Sequence, residues 1–493
     1  MLRTNSFLAA LFVCGFISIG GLGTAQTKLQ VPGPQTGPAK PALKKLIDAI
    51  NSQDPGQIAS FVQKNFDTDH TDQDSWSTHC CEPDEVTRTL DNVRKRSGGL
   101  LVESAYPHGT GITAFAKTKL KGGKLYIDLE CGNSEPCRIK SYQMVALSPG
   151  PETFLPKPEP DVPTETRLET LKRAFEEASD GQLFSGAVLI ARHGKILFRG
   201  AYGDADRARH IPISTDTPFF IASLGKLFTG VAVAQLVSEG KLSYDEPIIR
   251  YLPGYPNKAA ASKITLRELL THTSGLADIF SRQSPGTPVR RLTDYYPLFA
   301  YDPLLFEPGH GQSYSNTGFL VASMIVESVS GEEFRHYLAD HIFRPAGMRR
   351  TSSEEPRGRA IRYYRDNVDD PLNTGAPWVS AEAFYGKLLR GPAVGPGGEY
   401  STIEDLFRFA EALESGKLLD HKGFEVLIRQ GLGCECSSQE SNLIFAHTGG
   451  GPGVDSGLKL YVERNVVSVF LSNYSPPFPQ ALMDYADVFL GTS

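Results

Sequence analysis

Six prolines fall between Ser148 and Pro163: Pro149, Pro151, Pro156, Pro158, Pro160 and Pro163. Each fixes its own φ, lacks an amide donor and drives the preceding residue toward extended backbone. Neither a helix interior nor a central strand tolerates such a run. Residues 148–163 therefore read as an extended, semi-rigid linker, and the chain divides there into two domains. With 493 residues, both halves have room for a core.

The part before the linker begins with export signals. Arg3 precedes an apolar run from Phe7 to Ile19, and Gly23-Thr24-Ala25 offers a small-x-small cleavage pattern, so residues 1–25 read as a signal peptide. The run is too short for a membrane span, which needs about 20 residues. Residues 26–40 are rich in Pro, Gly and Thr and read as a flexible tail. Six cysteines follow: Cys80, Cys81, Cys131, Cys137, Cys434 and Cys436. An even count in an exported chain points to disulfides. Neighbours in sequence, Cys80 and Cys81 are poorly placed to bond each other, so a bond from that pair to Cys131 or Cys137 is expected. The four lack the two-CxxC spacing of a structural zinc site.

Residues 41–147 read as a small α+β domain. Leu43, Leu46, Ile47 and Ile50, then Ile58, Phe61 and Val62, recur at helical spacing on either side of Asp54-Pro55-Gly56. Strand-like runs follow at Leu100 to Ser104, Ile112 to Thr118, Leu125 to Leu129 and Ile139 to Val145. Two helices followed by a sheet resemble the nuclear-transport-factor-2-like domains, a likeness of element order alone. Residues 164–493 form the larger domain. A helix from Thr164 to Ala178 leads to a hairpin, Gly186 to Ala191 with Lys195 to Gly200. A second strand pair, Gly457 to Val462 with Val466 to Ser472, lies near the other end. Strands at both ends with helices between predict an α/β (α+β) fold: an antiparallel sheet closed by the two chain ends, flanked by helices and carrying a helical insertion. A cleft is expected where sheet meets helices.

Three Ser-x-x-Lys quartets occur. Ser456 to Lys459 lies on a strand, where residues three apart face opposite sides. In Ser238 to Lys241 the helix breaks at Gly240, leaving Lys241 beyond it. Only Ser223-Leu224-Gly225-Lys226 opens a helix, so hydroxyl and amine share one face, at a terminus whose N–H groups favour an oxyanion. Tyr314-Ser315-Asn316 opens a second helix; a tyrosine near a lysine has its phenolate favoured, and the Asn316 amide can orient its neighbours. Tyr255-Pro256-Asn257 has the same spacing but sits in a Pro-rich loop. Ahead of the last strands comes His447-Thr448-Gly449-Gly450, where glycine lets backbone approach a ligand and offer an oxyanion donor. Read alone, Gly449 to Gly453 is a glycine-rich turn.

Taken in order, the three elements resemble the class C β-lactamase-related and penicillin-binding-protein family, over about residues 183–473. Thr265-Leu266-Arg267-Glu268-Leu269-Leu270-Thr271-His272-Thr273-Ser274-Gly275-Leu276, Pro345-Ala346-Gly347-Met348 and Gly397-Gly398-Glu399-Tyr400-Ser401-Thr402 are similar to family signatures as well. The resemblance implies a β-lactamase/transpeptidase-like fold and a serine hydrolase working through an acyl-enzyme. It makes Ser223 the nucleophile, Lys226 and Tyr314 the proton-transfer pair, and Asn316 a positioning amide. The N–H groups of Ser223 and Gly450 form the oxyanion hole, with Gly449 and His447 beside the substrate. His272 reads as structural. His447 departs from the lysine usual in β-lactamases and DD-peptidases and is similar to esterase-like members.

These readings imply a small ester, peptide or lactam substrate, with peptidoglycan fragments among the candidates, and no metal or organic cofactor. The rival is a non-catalytic protein that binds or senses penicillin or peptidoglycan. A net charge of −6 without a long basic run argues against nucleic acid. The expected location is periplasmic or extracellular, with no membrane span in the mature chain.

Overall fold

The computed structural model describes residues 39–475, apart from residues 53, 55, 67–82, 109–110, 120–123, 132–135, 148–161, 181, 183, 280–289, 366–376, 384, 386–394 and 440–441. The leader expected over residues 1–25 lies outside the described residues, as do Cys80 and Cys81. Two compact units divide the chain: residues 1–151 with 365–378, and residues 152–364 with 379–493.

In the first unit, Leu43, Leu46, Ile47 and Ile50 form the buried stripe of α1 (Ala39–Asn51). In α2 (Gly56–Asn65) Ile58, Phe61 and Val62 are buried, and Asp54 Oδ1 accepts the Gly56 N–H at 2.9 Å just ahead of it. A third helix, α3 (Pro83–Ser97), is missing from the sequence reading. Its inward face mixes Val86, Leu90 and Val93 with the polar Thr89 and Ser97, amid charged neighbours, so its apolar periodicity is weak. Strands β1 (Leu100–His108), β2 (Gly111–Thr118), β3 (Lys124–Cys131) and β4 (Ile139–Leu147) then form an antiparallel meander in chain order. Alternation turns Ile112, Ala114 and Ala116 inward, opposite Leu129, Ile127 and Leu125.

The cysteine pairing differs from the one expected from sequence. Cys131, at the end of β3, bonds Cys137, because the return into β4 brings their Cα atoms to 5.4 Å. Neither is left for Cys80 or Cys81. In the second unit Cys434 bonds Cys436.

The second unit opens with α4 (Thr164–Asp180) and the hairpin β5 (Gly186–Arg192) and β6 (Lys195–Tyr202). Helices α5 (Lys226–Ser238), α6 (Asn316–Ser330), α7 (Ile403–Glu414) and α8 (His421–Arg429) are followed by β7 (Ser437–Gln439), β8 (Asn442–Gly451), β9 (Val454–Tyr461) and β10 (Val466–Ser472). The sheet order is β7-β8-β9-β10-β5-β6, with every neighbouring pair antiparallel. Ser472 lies opposite Gly186 and Val466 opposite Arg192, so strands from the two ends of the unit close the sheet. All of β10 is buried, as expected for a strand covered on both faces. Helix α7 packs on β10 and β5, and α4 on β6. Between sheet and α6 runs α5, buried at every position from Lys226 to Ala234. A helix apolar all round belongs in such a centre, and Lys226 is the exception that needs a reason.

Candidate active site

Ser223 stands in a 3-10 turn, Ala222–Gly225, that runs directly into α5 at Lys226. The turn is fixed from two sides: the Ile221 N–H donates to Glu399 O at 3.0 Å, and Ser456 Oγ donates to Ile221 O at 2.8 Å. Directly after Ile221, Ala222 takes a left-handed φ of 45°, a conformation costing about 1–2 kcal/mol in a residue with a Cβ. That strain sits one residue before Ser223.

Lys226 has no solvent exposure, and a buried ammonium requires acceptors. Its Nζ donates to Ser223 Oγ at 3.0 Å, Asn316 Oδ1 at 2.8 Å and the Pro396 carbonyl at 2.9 Å. The Tyr314 hydroxyl lies 2.8 Å from Ser223 Oγ, and Nζ sits 4.7 Å from the centre of the Tyr314 ring. Ser223, Lys226, Tyr314 and Asn316 thus meet in one cluster, although more than 90 residues separate the first from the last.

What aims Asn316 is a residue the sequence reading missed. Asp278 Oδ2 accepts both the Asn316 backbone N–H, at 2.7 Å, and its Nδ2, at 2.9 Å. A carboxylate only accepts and an ammonium only donates, so the amide must turn its nitrogen to Asp278 and its oxygen to Lys226. Local structure places Asp278. Thr265 and Glu268 form a capping box that starts the short helix Leu266–Leu270, and the following loop lines up against the approach to α6. There Ser313 N–H donates to His272 O at 3.0 Å, and Thr317 Oγ1 to Ala277 O at 2.6 Å. His272 Nδ1 accepts the Ser315 N–H at 3.0 Å, and its ring centre is 4.4 Å from that of Tyr314. Desolvation, then the Lys226 charge, holds its pKa well below 6.5. The neutral ring braces Tyr314.

The third motif lies inside β8, not in a turn; the chain reverses only at Pro452-Gly453. Gly449 presses against the turn that carries Ser223: a Cβ there would stand 2.2 Å from Ile221 O and 2.9 Å from Leu224 N. Thr448 donates from its N–H and its hydroxyl to Glu435, each at 3.1 Å. His447 is buried, with Nδ1 2.5 Å from Thr448 O, and burial, helped by the Lys226 charge, pushes its pKa down to about 3. Glu399 is buried behind Gly225 with Oε2 unpartnered, and burial lifts its pKa to about 7.

The repeated motifs take other work. Ser456 ties Ile221 and Gly449 together, Lys241 pairs with Glu239 at the surface, and Asn257 caps a short helix through the Ala260 N–H. Asp278 has no sequence signal, Glu435 only its place between two cysteines, and Glu399 only its place in the family-like run Gly397 to Thr402.

The Beta-lactamase family model matches residues 171–492. Penicillin-binding protein 4* of Bacillus subtilis is 30% identical over 66% of this chain and 76% of its own. Esterase EstB of Burkholderia gladioli is 33% identical over 50% of this chain and 69% of its own. The crystal structure of a penicillin-binding protein from Bacillus halodurans superposes with a TM-score of 0.55 at 30% identity, covering 66% of this chain and 99% of that one.

Proposed function

This chain belongs to the Beta-lactamase family, and on that premise we propose that it is a serine hydrolase whose nucleophile is Ser223 and whose natural substrates are small esters or amides. One observation carries the assignment: Ser223 Oγ lies within hydrogen-bond reach of both Lys226 Nζ, at 3.0 Å, and the Tyr314 hydroxyl, at 2.8 Å.

The direction of proton transfer follows from donor counting. An ammonium has three hydrogens, and Lys226 Nζ has acceptors in Ser223, Asn316 and Pro396. With Tyr314 acting as the phenolate that the nearby Lys226 charge favours, the proton of Ser223 itself goes to the Tyr314 oxygen as Oγ attacks the carbonyl. Tyr314 passes it to the leaving group, and in the second half draws a proton from the water that releases the acyl group. Alternate residues of a strand turn their N–H to the same edge. Thr448 N–H opens on the edge facing Glu435, so Gly450 N–H opens there too, beside Ser223, and supplies the oxyanion donor together with Ser223 N–H. Neutral His447 adds no positive charge for a substrate carboxylate, and the likeness to an esterase supports esters as substrates.

Export is part of the proposal. Two disulfides support an oxidising compartment, and no helix among the described residues is long and apolar enough to cross a membrane. A fluorophosphonate probe should label the wild type at Ser223, and Ser223→Ala should lose both labelling and p-nitrophenyl acetate turnover while keeping its circular dichroism. Labelling retained in that variant on another serine refutes the assignment. Labelling without turnover marks a binding protein.

A further inference from the structure

A substrate whose carbonyl reaches Ser223 must lie along the edge of β8, because Gly449 holds that strand against the turn carrying Ser223. The neighbouring strand β7 covers the edge only at its start, pairing Ser437 with Ile444 and Gln439 with Asn442. One step further along, Glu435 continues the pairing: its N–H donates to Ala446 O at 2.8 Å. Its side chain then bends over the next open position. Thr448 N–H and Thr448 Oγ1 both donate to the Glu435 carboxylate at 3.1 Å, and His447 Nδ1 lies 3.6 Å from Oε1. This is how a strand edge holds a bound carboxylate, with backbone N–H and hydroxyl converging on one anion. Gly450, next in the same series, lies about 6.8 Å along at ~3.4 Å per residue.

We propose that Glu435 occupies with its own side chain the place where a substrate carboxylate would bind, so that the enzyme accepts acyl donors that are uncharged beside the scissile bond and rejects anionic ones. Both Thr448 donors are engaged; burial lifts the Glu435 pKa to about 7, so above that pH the resident carboxylate is charged and repels a second one. The segment is fixed on either side. The Cys434–Cys436 bond brackets Glu435, and the Gly433 N–H donates to Leu270 O at 3.1 Å. Of the cations that Glu435 feels, Lys226 is turned to Ser223, Asn316 and Pro396, and Lys459 stands on the adjacent strand β9, opposite Ala446. The inference rests on the serine-hydrolase reading and names its substrate class.

The test uses two ester pairs that differ only in charge. One is 3-acetoxybenzoate against its methyl ester, with the carboxylate in the leaving group. The other is p-nitrophenyl monosuccinate against its methyl ester, with the carboxylate in the acyl group. At about pH 8.5, where Glu435 is ionised, the wild type should for at least one pair prefer the neutral member about tenfold or more in kcat/KM, and less so at 1 M salt, where exposed charges are screened. Glu435→Gln keeps an acceptor for Thr448 and loses the charge, so the preference should shrink to about threefold or less. Glu435→Asp should retain it, whereas a purely structural role would be disturbed as much by Asp as by Gln. Equal preferences in wild type and Glu435→Gln overturn the proposal while leaving the hydrolase reading intact. A wild type that turns over none of the four esters overturns that reading, and this inference with it.

Discussion

At the scale of single residues, the site is defined by groups kept neutral as much as by charged ones. Lys226 is a buried cation, and the two imidazoles near it, His272 and His447, both have pKa values held below 6.5. For His447 the consequence for stability has a definite sign. In the unfolded chain it takes up a proton near pH 6.5; in the fold it does so only near pH 3. Between those values the unfolded state binds the extra proton. The contribution of the neutral ring is therefore complete above pH 6.5 and is lost as pH falls toward 3. From pH 7.5 to pH 5 this amounts to about 2 kcal/mol, at ~1.4 kcal/mol per pH unit below 6.5. Urea unfolding of wild type and His447→Gln at both pH values measures it: the wild type should lose about 2 kcal/mol more than the variant. Equal losses would mean that His447 takes up its proton in the fold as readily as in the unfolded chain.

At the scale of elements, α5, α6 and β8 meet because particular residues let them. Gly449 has no Cβ to strike Ile221 O at 2.2 Å, and so β8 can lie on the turn bearing Ser223. Gly449→Ala should push strand and turn apart and move the Gly450 N–H off the reacting carbonyl. A displacement near 1 Å costs about a hundredfold in rate, and strain from overfilling costs about 1–3 kcal/mol in stability. We expect kcat for p-nitrophenyl acetate to fall about a hundredfold with little change in KM, and the melting temperature to drop by several degrees. Unaltered kcat would show that the strand does not supply the oxyanion donor.

Elements are also the scale most legible in sequence. The stripes of α1 and α2 and the alternation in β2 and β3 are periodic over their whole lengths, whereas the inward face of α3 mixes Val86, Leu90 and Val93 with the polar Thr89 and Ser97 and so shows no clear apolar period. Ser223 and Lys226 can be read because one helical turn sets their distance. Asp278 cannot, since it meets Asn316 across 38 positions, nor can Glu435, which meets Thr448 through a strand edge. The disulfide partner of Cys131 is hidden for the same reason: the return from β3 into β4, not sequence spacing, decides it.

At the scale of the whole molecule, the question is where the hydrolase unit begins. The family match starts at residue 171, inside α4, and the sequence resemblance only at about 183, after it. Packing places α4 with the sheet. Leu171, Ala174, Phe175 and Ala178 form its buried stripe, and Phe175 stacks at 5.6 Å on Phe198 and 5.5 Å on Tyr202, both of β6, with Phe184 edge-on at 5.2 Å. Removing one buried phenylalanine side chain costs about 3–5 kcal/mol, and losing the helix uncovers its partners as well. Two truncations therefore separate the alternatives. A chain beginning at Pro163 keeps α4 and should fold alone, with kcat/KM for p-nitrophenyl acetate within about twofold of the full chain. A chain beginning at Gln182 lacks α4 and should melt about 5–15 °C lower, or fail to accumulate. Equal melting temperatures would show α4 to be dispensable to the sheet. A large loss of activity in a well-folded chain beginning at Pro163 would instead assign the residues before it a part in catalysis.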